Sequence, residues 1–434
     1  MGNSTGATIG DGSEGNGAGA GAPAVRVAFV SQFVYPHDEE VRIRRLAASL
    51  SSHGWRCAVF SRGQSGIPDE DACGPVRVRR WRAARLGPIG RVLAAPLPWN
   101  PLWIAWLSRQ FRDFGADVVI VRNLRLALQG VVAARACGLP VVLDWSENFP
   151  ALVKAIGRQK LAHVLNHPFI VRHLEAVCLR MADAVWVVER DNGERVRAIR
   201  GSARRRADGD DVRVISNYPL LCDIAQFDVP AVQPREPGEL RAVFIGKIDN
   251  LRGLDMVVRA LSRRAARSVR LTVIGDGFDL PRIRALAAEE GVSDRISFVG
   301  WMPNTEVHAY LMRFDVGLVP HAVNELTQTT IPNKLFDYMA AGVCVLSSPM
   351  RPVLEVLEQE KCGDVVAFDP DAWARAFAEL AAAPDRRRQM GSRGRAVVLA
   401  RYNWERAATE AIETVSDCSA GTAVITRDRQ KRCG

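Results

Sequence analysis

Short unbroken apolar runs recur along the chain, each followed by a stretch in which apolar residues return every three or four positions. VRVAFVS, Val25 to Ser31, has the length of a buried strand, and Val41 to Ser52 carries helical spacing. Further strand-like runs lie at Cys57 to Ser61, Asp117 to Val121, Pro140 to Asp144 and Ala184 to Val188. Strands alternating with helices predict a parallel sheet covered on both faces. A second series begins after the proline-rich VPAVQPREPGE. Its strands are expected at Arg241 to Gly246, Arg270 to Gly275, Ile296 to Gly300, Val316 to Pro320 and Val343 to Ser348. Two doubly wound α/β domains in series place a cleft between the carboxyl ends of their sheets, where open α/β sheets bind ligands.

The boundaries follow from the same pattern. Residues 1–23 hold Gly, Ala, Ser and Thr with little apolar bulk and are expected to be a disordered tail. Residues 24–226 form the first domain, 227–239 the linker and 240–400 the second domain. A helix at 401–416, around Trp404 to Val415, is expected to cross back onto the first domain, with a mobile tail at 417–434.

Composition changes this picture only in places. At 434 residues, 48% apolar, the chain can build two cores. The nine cysteines show no metal-ligand spacing and fit a reducing cytoplasm, most of them as small buried hydrophobes. The first residues carry neither a secretory signal nor a myristoylation motif. The net charge of +10 is uneven: Arg77, Arg79, Arg80, Arg82, Arg85 and Arg91 share one segment with Trp81, Leu86, Ile89, Val92 and Leu93. That segment reads either as a charged surface loop leading to a core helix or as a contact for an anionic membrane surface. Pro96, Pro98 and Pro101 interrupt the apolar stretch that follows, which argues against a transmembrane helix, and no nucleic-acid reader motif is present.

The richest segment for chemistry is TTIPNKLFDYMAAGVCVLSS, Thr329 to Ser348. Pro332 stands where a first-turn proline would, so a helix begins in the expected cleft. Its unpaired N–H groups around Asn333 and Lys334, and its positive dipole end, suit a nucleotide diphosphate. Asp337, one turn further, can accept from two ribose hydroxyls or simply complement the helix start.

NKLFDYMAAGV, the preceding DVGLVP and the stretch IGDGFDLPRIRAL resemble the family 4 glycosyltransferases of the GT-B fold, over about residues 25 to 415. The resemblance implies an α/β, GT-B architecture of two Rossmann-like domains facing a cleft, and sugar transfer from a nucleotide donor with retention and without a metal. The family's GR-(x)n-KG element corresponds to GKIDNLRG, Gly246 to Gly253, in which Lys247 and Arg252 stand with the residue types exchanged. Two cations beside two phosphates are kept, although lysine lacks the bidentate fork of arginine. Gly275 and Gly300 complete the ordered donor motif. In the family's E-(x)7-E pair the second acid corresponds to Asp337 and the first to Thr329; Glu325, four residues earlier, is a candidate substitute.

In the first domain the resemblance places Arg122, with Asn123 beside it, where many relatives present a histidine. A guanidinium is no ordinary base but can orient an acceptor or steady a leaving diphosphate. LDWSENFP, Leu143 to Pro150, resembles a D-x-x-E segment, so Asp144 or Glu147 is a candidate to handle the acceptor proton, with helix capping as the plain alternative. His37 and Asp38 stand where relatives carry a glycine-rich acceptor loop.

The expected activity is retaining hexosyl transfer from a nucleotide sugar to a glycan or lipid-linked acceptor hydroxyl, in the cytoplasm or peripherally at the inner face of a membrane, in cell-envelope glycan or glycoconjugate synthesis, with no cofactor or metal. The D-x-D triplets at Asp69, Asp208 and Asp369 fall in loops, against a metal-dependent single-domain transferase. A sugar-nucleotide epimerase of the same fold, or an inactive membrane-associated scaffold, are the alternatives.

Overall fold

A computed structural model describes residues 24–36, 41–82, 99–156, 167–201, 211–225 and 238–433. The tail at 1–23, His37, Asp38, Arg85, Arg91 and nearly all of the linker lie outside these residues.

The first half runs β1 (Arg26–Ser31), α1 (Val41–Ser52), β2 (Arg56–Arg62), β3 (Glu70–Cys73), β4 (Val76–Trp81), α2 (Pro101–Phe114), β5 (Val118–Arg122), α3 (Ala127–Ala136), β6 (Val141–Asp144), α4 (Phe149–Ile156), α5 (Pro168–Met181), β7 (Ala184–Val187), α6 (Arg190–Arg200), β8 (Val212–Val214) and α7 (Leu221–Ala225). The second half runs β9 (Leu240–Ile245), α8 (Leu254–Leu261), β10 (Val269–Ile274), α9 (Leu280–Glu289), β11 (Ile296–Gly300), α10 (Asn304–Leu311), β12 (Val316–Val319) and α11 (Asn333–Ala340). It ends with β13 (Cys344–Ser347), α12 (Arg351–Glu360), β14 (Gly363–Val365), α13 (Pro370–Ala382), α14 (Pro384–Ala400) and α15 (Trp404–Cys433).

The first sheet has the order β3-β4-β2-β1-β5-β6-β7-β8 and is parallel except for the β3–β4 hairpin. The second has the order β11-β10-β9-β12-β13-β14 and is parallel throughout. Strand order reverses direction between β1 and β5 in the first sheet and between β9 and β12 in the second, and such switch points open a crevice at the carboxyl ends. Both faces of each sheet are packed. In the first sheet, Val119, Val121 and Leu143 join Trp103 and Trp145 on one side, while Phe29, Ile120 and Trp186 join Ile43 and Leu46 on the other.

Local chemistry explains the helix ends. The Asn100 side chain accepts from the amides of Leu102 and Trp103 at the start of α2, Pro101 opens its first turn, and Gly115 closes it in the left-handed conformation at φ 65°.

Two expectations change here. The basic segment is not a loop through Arg82, because Arg77, Arg79 and Arg80 lie on β4 and Arg82 follows it directly. VRVRRW alternates, with Val76, Val78 and Arg80 buried, the period-2 pattern of a strand. Arg80 donates to the carbonyls of Tyr35 and Pro68 and pairs with Asp71; Arg79 faces Glu70 and Asp113, and Arg82 faces Asp69. These cations are therefore spent inside the domain. Trp103 is buried and Trp81 and Trp106 stack at 6.2 Å, so these indoles serve the core. Second, α15 runs on to Cys433 where a mobile tail was expected from 417, since no proline follows Trp404 to stop it. Trp404, Ala407, Ala411 and Val415 pack with Val27 and Phe29 of β1 and Ile43 of α1, and the Trp404 indole donates to Ser49 at 3.0 Å. Among the described residues no helix is long and apolar enough to cross a membrane.

Candidate active site

On the second domain the site is built from the loops that follow β9 and β12, flanking the switch point. The first loop, Gly246 to Gly253, carries Lys247 and Arg252; the second leads through His321 to the start of α11. Close backbone approach brings the two together. Gly253, at φ 66°, lies where a Cβ would stand 1.7 Å from the carbonyl oxygen of Pro320, so only glycine permits the contact. Gly275, at the end of β10, is constrained in the same way, since a Cβ there would come within 2.0 Å of the Gly246 carbonyl oxygen.

Arg252 therefore stands beside His321, with Nη1 3.0 Å from Nε2, while its Nε lies 3.5 Å from Asp249. Lys334 rises from the first turn of α11 and is buried, with Nζ 3.8 Å from the Phe244 ring centroid and 3.4 Å from the point a Cβ at Gly246 would occupy. Its ammonium has no hydrogen-bond partner among the described residues, and the same is true of His321 Nδ1 and Thr330 Oγ1. Burial, reinforced by Arg252, holds Lys334 well below the ordinary lysine value against the pull of Asp249 and Asp337. Burial, Lys334 and Arg252 likewise hold His321 well below the usual histidine value. Pro332 caps α11 without a side-chain hydrogen bond, which leaves the first amides of the helix open. A buried donor without a partner costs about 1–3 kcal/mol, so the unmatched donors around Lys334 could be satisfied by an acceptor-rich anion.

On the first domain the strand ends treat charge differently. Asp144, at the end of β6, is fully buried between Arg42 of α1 and Arg122 at the end of β5, with contacts of 2.8 Å to each. Burial would raise its carboxyl, but the two guanidinium groups more than offset this and hold it below the usual aspartate value. Glu147, three residues on, is partly exposed. Burial raises its carboxyl above the usual value, with Arg252 across the cleft and Arg122 working against that rise. Asn123 next to Arg122 has φ 68° and ψ 155°, a conformation costly for a residue with a side chain.

The two sides meet. Asn148 donates to Thr329 Oγ1 at 3.2 Å, Lys154 pairs with Glu325 at 3.0 Å, and Asp191 pairs with Arg351. Of the donor candidates, Gly246, Arg252 and Lys334 gather around one point, and Asn333 begins α11 beside them. Lys247 is exposed, and among the described residues no contact ties it to this group. Gly300 ends β11 at φ 86° with open space where a Cβ would be, and its carbonyl accepts from the Gly275 amide at 2.7 Å. Glu325 and Thr329 face first-domain partners. Asp337 meets His308 of α10, Nε2 to Oδ1 at 3.2 Å. Sequence reasoning missed His321, Arg42, His308 and Thr330, which lack any motif of their own. Among the described residues no group of three His, Cys, Asp or Glu could hold a metal ion.

Two family models match the chain, one described as "Glycosyl transferase 4-like domain" over residues 39–218, the other as "Glycosyl transferases group 1" over residues 239–383. The chain is 27% identical to a 2-deoxystreptamine glucosyltransferase of Streptomyces kanamyceticus over 79% of its length and 92% of the relative's. It is 30% identical to a GDP-mannose-dependent phosphatidylinositol monomannoside mannosyltransferase of Mycobacterium tuberculosis, over 38% of this chain and 44% of that one. Among solved structures, sucrose-phosphate synthase from Thermosynechococcus elongatus superposes with a TM-score of 0.71 at 20% identity, covering 92% of this chain and all of that one. Anabaena HepE in complex with UDP gives 0.65 at 14% identity over 91% of this chain and all of that one. Nothing in these matches favours the epimerase or the scaffold. With two parallel-sheet domains, a shared cleft and both family models in register with them, the chain belongs to the group 1 (family 4) glycosyltransferases of the GT-B fold.

Proposed function

We propose that this glycosyltransferase uses a nucleoside diphosphate sugar and transfers a hexose, with retention and without a metal, to a hydroxyl of a polyol or glycan acceptor. The observation that carries the reading is the cluster at the start of α11. There the buried, unpartnered Lys334 ammonium, the Arg252 guanidinium and the open amides of the first turn converge. Charge developing on a departing diphosphate is stabilised by fixed donors of this kind, which need no reorganisation as the bond breaks. Asp337 serves the ribose end. The relatives support the substrate classes: one matched over 92% of its length is a 2-deoxystreptamine glucosyltransferase, and Anabaena HepE, of the same fold, forms a complex with UDP and glucose.

On the acceptor side, Asp144 is committed to Arg42 and Arg122 and orients the latter. Glu147 is the carboxylate whose raised value and position opposite Arg252 suit it to take the acceptor proton. Asn123 belongs to the acceptor side; His37 and Asp38, outside the described residues, are proposed for it from the sequence alone. Docking on an anionic membrane loses the support of Arg79, Arg80 and Arg82, which have partners in the domain. Trp99 and Leu102 stay exposed, and equal recovery of wild type and a Trp99→Ala, Leu102→Ala variant with anionic vesicles would dismiss membrane contact.

The decisive experiment is a screen of UDP-, GDP-, ADP- and dTDP-hexoses with EDTA present, reading released nucleoside diphosphate and the anomeric configuration of the product. Release from one donor class, abolished in Lys334→Met, is expected. If no donor is turned over and no nucleoside diphosphate binds in calorimetry, the proposal fails.

A further inference from the structure

The loop between β12 and α11 contributes a histidine that no motif announces. His321 is 2% exposed, and Nε2 lies 3.0 Å from Arg252 Nη1. A guanidinium can only donate, so Nε2 must be the acceptor and the ring proton must sit on Nδ1. The neighbouring cations agree with this, because Lys334 and Arg252 both disfavour a charged imidazole. His321 itself is anchored: the Ser348 hydroxyl, past the end of β13, donates to its backbone carbonyl.

We infer that His321 is a positioning residue that holds the Arg252 guanidinium toward the donor diphosphate by accepting one of its N–H groups. The inference deepens the diphosphate reading above and rests on it.

The choice of a neutral acceptor has a physical reason. An arginine that must meet an anion needs its fork fixed in advance, since side-chain ordering is otherwise charged against binding. Asp249 already stands 3.5 Å from Arg252 Nε, and its carboxylate is shared with the Leu251 amide at 3.1 Å. A second carboxylate in the place of His321 would fix the fork equally well and cancel the positive charge the phosphates require. An imidazole kept neutral by its surroundings fixes the geometry and leaves the charge. The remaining Arg252 surface stays accessible, with its side chain 37% exposed.

The experiment is a double-mutant cycle read by calorimetric titration of UDP and, separately, GDP, alongside donor KM, kcat and Tm. Glutamine can present its amide oxygen near the place of Nε2, whereas the shorter asparagine stops at the level of Nδ1. We expect His321→Leu and His321→Asn to weaken nucleotide binding roughly 10-fold, the scale of one hydrogen bond to a charged group. His321→Gln should stay within about threefold. In an Arg252→Gln background His321→Leu should add less than about twofold, because the group it acts through is gone. Should His321→Leu not yield folded protein, the asparagine–glutamine contrast carries the same test.

Full additivity in the Arg252→Gln background, or glutamine as damaging as asparagine, overturns the positioning role. The two readings separate cleanly. If Arg252→Gln weakens binding and the His321 variants do not, only His321's role falls; if Arg252→Gln leaves affinity unchanged, the diphosphate site falls with it.

Discussion

At the end of β6 a buried carboxylate is enclosed by two guanidinium groups, each 2.8 Å away; at the start of α11 a buried ammonium has no counter-charge in contact. The two places face one cleft and both are buried, yet the first is internally satisfied and the second is not. A satisfied network fixes strand ends and orients side chains. An unsatisfied one stores a free-energy cost that a ligand of opposite charge removes, which is how a binding site differs from a structural ion pair.

Removing the Asp144 charge should have the largest effect on the fold. Asp144→Asn leaves Arg42 and Arg122 buried beside a neutral group and is expected to cost about 3–5 kcal/mol of unfolding free energy. A loss under about 1 kcal/mol in urea denaturation would show the pair to be incidental. Lys334→Met should do the reverse. Stability is expected to be unchanged or raised, because a buried amine that is costly to protonate disappears, while nucleoside diphosphate affinity falls roughly 100-fold, about 2.7 kcal/mol. A lower Tm with intact binding would erase the contrast between the two ends.

The pH dependence of stability without ligand sharpens the same comparison on a smaller scale. Asp144 has a folded value below the ordinary aspartate one, so its contribution is complete above about pH 4 and is lost as pH falls through the folded value. Lys334 also has a depressed folded value, but for a base the consequence is a penalty in neutral solution. Between its folded value and the ordinary lysine value of about 10.4 the unfolded chain binds more protons, so stability should climb with pH. Chemical denaturation of wild type and Lys334→Met across pH 7 to 10 checks this, since the climb should vanish in the variant.

The smallest effect is expected at the surface tie between the domains. The Lys154–Glu325 pair is more than half exposed on both sides, and Lys154→Ala should change unfolding free energy by less than about 1 kcal/mol. A larger loss would mean that the domain contact, and not the two strand-end clusters, governs the cleft.

Much of this was legible in the residues. Apolar runs located ten of the strands because a strand buried on both faces needs no alternation to be seen. The four exceptions are instructive: β4 alternates Val and Arg plainly, but its arginines read as a charge cluster; β3 is a short, mostly exposed EDAC; and β8 and β14 are three residues long. In the proposed site, Lys334, Asn333 and Asp337 are suggested by Pro332 and the helix it precedes, and Arg252 by the resemblance of GKIDNLRG to the family's diphosphate element. His321, Arg42 and His308 could not be found in this way, because each matters only through a partner 29 to 102 residues away in sequence.

The sequence by itself determined two α/β domains, the order of their strands along the chain and the start of the helix that faces the cleft. These depend on local periodicity and turn chemistry, which are written in consecutive residues. Only the tertiary structure decided which charges are spent and which are kept. It paired Arg79, Arg80 and Arg82 within the first domain, closed Asp144 between two arginines, and left Lys334 without a counter-ion. Electrostatic energy depends on distance and burial, and neither exists until the chain has folded.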